Sequence, residues 1–344
     1  SYTNVSNQLA VELHEGFNKW AKAGIRLFAR HDFNQYSMPA TRYLNKRYNE
    51  NKVFLGGLLF KEKGNTLRYS LLGEICGDGK TWGEFELRAH TDLYFCLFND
   101  SVKLSAFAYT VNRRPTFFYR RFSSHYIRWN NDLSMQLTTH IGGQLESGLT
   151  KTRLAVDIQN IKNYTYFANE ATLVAGLSSK KYTSNTVVRQ ASDNIQILSM
   201  TLGQNFSMGI LNWENRITYQ TTTNKEVLPL PALSLYTNLY LKFILSKVLH
   251  VELGTDMRYF TEYNAPTYSP ALGMFANQAK ENNVKVGNHP VINIYANLCL
   301  KHTRFYIMGG HVNYSRDGGN VFLVPHYPYN PFTLKLGISW DFFN

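Results

Sequence analysis

The sequence predicts an all-β chain, a transmembrane antiparallel up-and-down β-barrel of about 14–16 strands with short periplasmic turns and long extracellular loops. Three observations predict it. Runs of about ten residues alternate apolar and polar side chains with period 2. No stretch reaches the roughly 18 consecutive apolar residues that a spanning helix needs. Short connections between the runs alternate with long ones.

In chain order the runs lie near 7–14, 22–33, 52–61, 66–75, 84–98, 101–112, 133–145, 150–160, 195–207, 210–220, 232–245, 248–260, 290–301, 304–314 and 333–343. In 84–98, Phe85, Leu87, Ala89, Leu93, Phe95 and Leu97 oppose Glu86, Arg88, His90, Asp92 and Tyr94. In 133–145, Leu133, Met135, Leu137, Ile141 and Leu145 oppose Gln136, Thr138, His140 and Gln144. Segment 150–160 sets Leu154, Val156 and Ile158 against Lys151, Arg153, Asp157 and Gln159. In 232–245 the leucines at 233, 235, 239, 241 and 245 share a face with Phe243, against Ser234, Tyr236, Asn238, Tyr240 and Lys242. The next run answers with Leu249, Val251, Leu253 and Met257 against His250, Glu252, Asp256 and Arg258. Segment 290–301 divides Ile292, Ile294, Leu298 and Leu300 from Asn293, Tyr295, Asn297 and Lys301, and the closing KLGISWDFFN divides Leu336, Ile338, Trp340 and Phe342 from Lys335, Gly337, Ser339 and Asp341.

A half-buried soluble sheet alternates in the same way, so length and end chemistry must decide. Soluble strands typically run about 5–6 residues. A tilted strand crossing a bilayer needs about 9–11 and gathers aromatics where it meets the interface. The runs here have the greater length, with Trp213 and Tyr219, Tyr259 and Phe260, and Trp340 and Phe342 at their ends. Composition agrees: aromatics are 15% of the 344 residues and charged residues only 17%. The apolar faces are therefore expected to meet lipid, and the polar faces a lumen.

Short connections sit near 15–21, 62–65, 99–100, 146–149, 208–209, 246–247 and 302–303, and long ones at 34–51, 113–132, 161–194, 261–289 and 315–332. The long ones all fall on one side, taken as the outside. The first and last strands then both run downward, whereas a single-chain bacterial barrel has an even number of strands. The expectation is one barrel domain over 1–344 that lacks an N-terminal portion of the full-length protein.

Chemical motifs are few. Residues 77–81, GDGKT, fail as a phosphate-binding loop because Glu74 stands where the first glycine is required. Cys76, Cys96 and Cys299 lack any CxxC spacing, and the histidines show no metal-ligand spacing, so no metal or cofactor is expected. His90 with Asp92 and His250 with Glu252 are i, i+2 pairs, which a polar lumen face produces unaided; catalysis is not expected.

The formal charge of +12 narrows the partners. Arg113, Arg114, Arg120, Arg121 and Arg128 crowd one long connection, interleaved with Phe117, Phe118, Tyr119, Tyr126 and Trp129. Nucleic-acid binding proteins share that pattern. In an extracellular loop it would draw anions to a mouth or meet anionic lipid sugars, and no nucleic acid is expected. Candidate pore-lining residues are Arg26, Arg30, Arg88, Asp92, Lys103, Arg153, Asp157, Arg216, Lys242, Glu252, Asp256 and Arg258.

EGFNKWAKAGIRLFARHDF (15–33), RRPTFFYR (113–120), WNNDLS (129–134), NIKNYTYF (160–167), GILNWENRITYQT (209–221), LPLPALSLYTNLYLK (228–242), YNAPTYSPALGMFANQ (263–278), LKHTRFYIM (300–308) and PHYPYNPFTLKLGISWDFFN (325–344) carry a family likeness in loops as well as strands. The chain resembles the C-terminal portion of the putative porin family of Bacteroidetes outer membranes. The resemblance implies an N-terminal segment with a signal peptide and additional strands, and a Gram-negative outer-membrane location. It brings no established substrate, cofactor or catalytic residue. Lys335, Gly337, Trp340 and Phe342 fit an outer-membrane assembly signal, although the chain runs on through Phe343 and Asn344.

The expected function is passive diffusion of small solutes, mildly favouring anions. The rival is a plugged or structural barrel in a multi-protein complex with other barrels or lipoproteins. Expected partners are outer-membrane lipid and, through the C-terminal strand, the assembly machinery.

Overall fold

Backbone N–H and C=O groups have no water to bond with inside a bilayer, so a chain that crosses as strands must pair each with its neighbours. The computed structural model, which describes residues 1–17, 22–40, 44–77, 82–97, 100–124, 127–173, 182–314 and 321–342, meets this requirement for every strand between its two edges, with one sheet of fifteen antiparallel strands in sequence order. They are β1 (Tyr2–Leu13), β2 (Gly24–Pro39), β3 (Asn45–Lys61), β4 (Leu67–Cys76), β5 (Phe85–Leu97), β6 (Asp100–Arg113), β7 (Gln136–Ser147), β8 (Thr152–Lys162), β9 (Ile195–Met208), β10 (Leu211–Thr222), β11 (Leu233–Leu245), β12 (Leu249–Phe260), β13 (Val291–Leu300), β14 (Thr303–Gly310) and β15 (Thr333–Trp340). Each predicted run holds one of them.

On the short-turn side the reversals are tight. Ser246 and Lys247 both adopt left-handed φ, 52° and 66°, and Val248 N–H donates to the Leu245 carbonyl at 3.2 Å. Two positive φ values give the backbone twist that suits a two-residue hairpin. Two of these turns are tied together: the Glu15 carboxylate accepts the backbone N–H of Glu62 and, at 3.0 Å, that of Lys63. The Glu62 bond is the main reason that the Glu15 carboxyl titrates below its ordinary value.

β1 and β15 are the sheet's edges and do not pair with each other among the described residues. With strictly alternating neighbours over fifteen strands, these two edges point the same way.

Three expectations need correction. The predicted long connection at 34–51 is mostly strand: β2 continues to Pro39 and β3 starts at Asn45, in unbroken register from Gly24↔Phe60 to Pro39↔Asn45. The alternation fades there because both faces of the hairpin's upper part carry Asn, Gln, Tyr and Arg, with no lipid to select apolar residues on either. β1 likewise starts at Tyr2 rather than near 7, paired with Tyr36 at this upper level. Finally, Arg113 is not in the loop but ends β6.

The apolar faces point away from the bore. Leu336, Ile338 and Trp340 are 66%, 69% and 62% exposed, and Leu27, Leu55, Leu87, Ile141, Ile158 and Ile294 are exposed in the same sense on other strands. Leaving a large aliphatic side chain in water forgoes about 1.5–3 kcal/mol each, so this belt is built for hydrocarbon. A buried apolar cluster lies elsewhere, at the outer end, where Tyr36 and Met38 of β2 meet Phe117. The Tyr36 and Phe117 rings stack at 3.9 Å and 7° and hold the connection after β6 against the β2–β3 hairpin.

Candidate solute path on the inner wall

Every second residue of each strand faces the bore, and register sets the polar residues of neighbouring strands side by side. Over β1–β8 this produces ion pairs. Arg26 bonds Glu12, and Arg30 reaches Asp32 and Glu74, each at 3.2 Å. Glu74, nearly buried, also takes Arg113 at 2.8 Å, and Arg113 and Arg88 both close on Glu86. Lys103 meets Asp92 at 3.3 Å, His140 meets Asp157 at 2.9 Å, and Arg153 stands 3.5 Å from Glu146. At the outer rim Lys52 holds the buried Glu84 at 2.9 and 3.0 Å.

The predicted basic cluster is therefore broken up. Arg113 turns into the bore, Arg120 pairs with Glu50 at 2.6 Å, and Arg121 bonds Asn130 at 2.9 Å and lies over the Tyr48 ring. For Arg113 and Arg120 the partners are acids from other strands, which spacing along the chain cannot reveal. Arg114 gives its backbone N–H to Glu84, and Arg128 is exposed.

β9–β15 present a different wall of tyrosine, amide and sparse charge. One row across the strands runs Gly203, Arg216, Tyr236, Arg258. The next, two residues along each strand, runs Asn205, Glu214, Asn238, Asp256, Asn293. A third holds Tyr240, Gly254 and Tyr295, and a fourth pairs Lys242 with Glu252 at 3.0 Å. Tyr240 donates to Glu214 at 3.0 Å, Tyr295 to Asn238 at 2.9 Å, and Asn293 to Asp256 at 2.9 Å. Arg258 lies 5.8 Å from the Tyr236 ring centre. Among the described residues, neither Arg216 nor Arg258 has a carboxylate within ion-pair distance, unlike the guanidinium groups of Arg26, Arg30, Arg88, Arg113 and Arg153.

Several lumen-facing rings lie flat over glycines of the adjoining strand: Phe60 on Gly24, Phe28 on Gly56, Phe107 on Gly142 and Tyr306 on Gly337. A Cβ at Gly56 would come within 2.3 Å of the Phe28 ring. Rings laid down in this way line the wall instead of projecting into the bore.

Loops interlock at the outer end. The hairpin Thr165–Leu173 with Tyr182–Gln190 touches the β12–β13 connection through an Ala168↔Asn277 bridge and a 2.9 Å bond between the hydroxyls of Thr186 and Ser269. Asn277 also donates to the Val227 carbonyl at 2.7 Å, which brings in the β10–β11 connection. Beside them His289 and His311 meet ring to ring, a pair that sequence spacing did not suggest. Burial, reinforced by the His311 ring, holds the His289 imidazole below its ordinary value.

A meander of amphipathic strands with an apolar belt outside and a charged wall inside defines an outer-membrane β-barrel. The chain belongs to the family described as "Putative porin", whose model matches residues 1–344. No curated protein matches the sequence. Solved structures share the fold at low identity. The siderophore receptor PirA from Acinetobacter baumannii is 8% identical with a TM-score of 0.64, covering 99% of this chain and 55% of that one. The copper transporter OprC is 11% identical at 0.66, covering 99% and 58%. A mutant of the ferric enterobactin receptor PfeA from Pseudomonas aeruginosa is 12% identical at 0.67, covering 99% and 54%. The chain thus spans little more than half the length of these proteins.

Proposed function

We propose that the protein provides a passive path for small solutes across the outer membrane, with a mild preference for anions. The row Arg216–Tyr236–Arg258 carries this reading. Among the described residues, two guanidinium groups without carboxylate partners face the bore, while most cations elsewhere on the wall are neutralised by neighbours. The adjacent row on the same strands carries Glu214 and Asp256, so acids and bases alternate along this stretch of wall. The other lumen residues, Arg26, Arg30, Arg88, Asp92, Lys103, Arg153, Asp157, Lys242 and Glu252, set bore size and polarity as paired groups. Outside, Arg114 and Arg128 meet anionic lipid sugars. At the opposite end of the pathway, Lys335, Gly337, Trp340 and Phe342 present the last strand to the assembly machinery.

Single-channel recording in planar bilayers under a salt gradient tests this. The expected result is a steady conductance whose reversal potential favours anions, shifted toward cations in Arg216→Ser/Arg258→Ser. No steady conductance, or a cation preference in the unaltered protein, would overturn it.

One observation favours a second reading, a structural barrel in a complex with other barrels or lipoproteins: the interlocked outer loops form a fixed external surface. A monomer in mild detergent with an open lumen would count against it.

A further inference from the structure

We propose that the recess between Arg153 and Arg216, toward the short-turn end of the inner wall, is a subsite that binds the phosphate group of a small solute on its way along the bore. The inference deepens the passive-path reading and rests on it for the solute's arrival.

Register builds the recess. Arg153 of β8 lies opposite Gly203 of β9, and Gly203 lies opposite Arg216 of β10. Neighbouring strands stand about 4.8 Å apart, so two guanidinium side chains leave the wall on either side of a residue that has no side chain. The next lumen-facing row is small as well, with Ala155 opposite Thr201 and Thr201 opposite Thr218. The missing bulk leaves a cavity of about 530 Å³, which Gln144, Lys151, Asn205 and Glu214 also line. That volume lies within the roughly 300–1,000 Å³ usual for small-molecule sites.

Charge and donor geometry select the ligand. Three cations, Lys151, Arg153 and Arg216, line the cavity against one acid, Glu214. Glu214 accepts from the Tyr240 hydroxyl at 3.0 Å, on the side of its row away from Arg216. Arg153 is loosely engaged: its Nε stands 3.5 Å from Glu146, the longest ion-pair distance among the described residues, and one Nη donates to Gln144 at 2.5 Å. A guanidinium carries five N–H donors, so donors remain for a ligand. Among the described residues the Arg216 guanidinium has neither a hydrogen-bond nor an ion-pair partner. Lys151 Nζ donates to Ser207 at 2.9 Å and keeps two further N–H groups.

Donors therefore meet the cavity from three sides: β8, β10 and the turn that precedes β8. A tetrahedral phosphate has acceptors on every side and suits this arrangement better than a planar carboxylate, whose two oxygens share one edge. Arg216 and Asn205 are exposed to the bore. A bound solute can thus leave as well as enter, as conduction requires.

Inorganic phosphate is the probe. Its ³¹P line should broaden saturably when the folded barrel is added in a phosphate-free detergent, and acetate should compete at least tenfold less well than added phosphate. Half-saturation should move at least tenfold in Arg153→Ser and in Gly203→Leu. The second variant keeps every cation and fills the recess: a Cβ at Gly203 would meet Arg153 Cβ at 3.5 Å, an ordinary contact, and the backbone there is not left-handed. The heat-dependent gel shift of a folded barrel checks both variants, and Arg153→Ser decides if Gly203→Leu fails to fold. In planar bilayers, phosphate should block the chloride current of the unaltered protein over the same concentration range. No saturable broadening, broadening unchanged in Arg153→Ser, or acetate competing as well as phosphate would overturn the subsite, even where the reversal potential favours anions. The expected broadening in a barrel that shows no conductance would overturn the path reading and leave the subsite standing.

Discussion

The Tyr306 ring lies across the backbone of Gly337 on the neighbouring strand so closely that a methyl group built at that glycine would come within 2.0 Å of it. The pair is directly cross-strand, Tyr306↔Gly337, on the lumen face of β14 and β15. In Gly337→Ala the ring must lift from the wall. Overpacking of this kind costs about 1–3 kcal/mol, and the urea midpoint of the folded barrel should fall accordingly. In a Tyr306→Ala background Gly337→Ala should cost less than it does in the unaltered protein; strict additivity of the two substitutions would refute the contact's role.

Leu239 and Asn238 are neighbours on β11 that point to opposite sides of the wall. A cation placed on the lipid face at mid-depth costs about 2–4 kcal/mol. Leu239→Lys should lower unfolding free energy in vesicles by that amount, whereas Asn238→Lys should fold normally. Equal losses in both would invert the assignment of faces.

Glu84 is fully buried and both of its oxygens face Lys52. Removing one member of a buried pair typically costs about 3–5 kcal/mol. Glu84→Gln should approach the lower figure, because Lys52 retains some contact with solvent, and chemical denaturation would measure it.

Acid should loosen the clasp between the first two short turns. Glu15 titrates below its ordinary value chiefly because it accepts the Glu62 N–H. A carboxyl lowered in the folded state contributes stability that is present above its unfolded pKa and lost as pH falls through the folded one. Hydrogen-exchange protection of the Glu62 and Lys63 amides should therefore persist at neutral pH and fade below pH 4.5, the ordinary glutamate value. Glu15→Gln should show weakened protection at every pH.

Strand number, strand order and the two faces were legible because lipid enforces a period of 2 within its own thickness. Leu233 to Leu245 alternate for that reason alone. Above the membrane the selection ends, and the Asn, Gln and Tyr residues of the upper β2–β3 hairpin read as loop although they keep perfect register. Basic residues were visible in the sequence, but their partners were not: Glu50 lies 70 residues from Arg120, and Glu74 lies 39 from Arg113. The His289–His311 contact, 22 residues apart, depends on two connections folding toward each other and leaves no mark in local spacing.

The β2–β3 hairpin has a consequence for what the cell displays. At about 3.3 Å per residue and a tilt of about 45°, the 16 residues of β2 rise about 37 Å, against an apolar band about 25 Å tall. Some 12 Å of paired strand, stiffened by Tyr36 against Phe117, thus stands clear of the lipid as a fixed epitope. Any macromolecule meeting this surface would encounter a shape already ordered, and could bind without the entropic cost of arresting a loose loop.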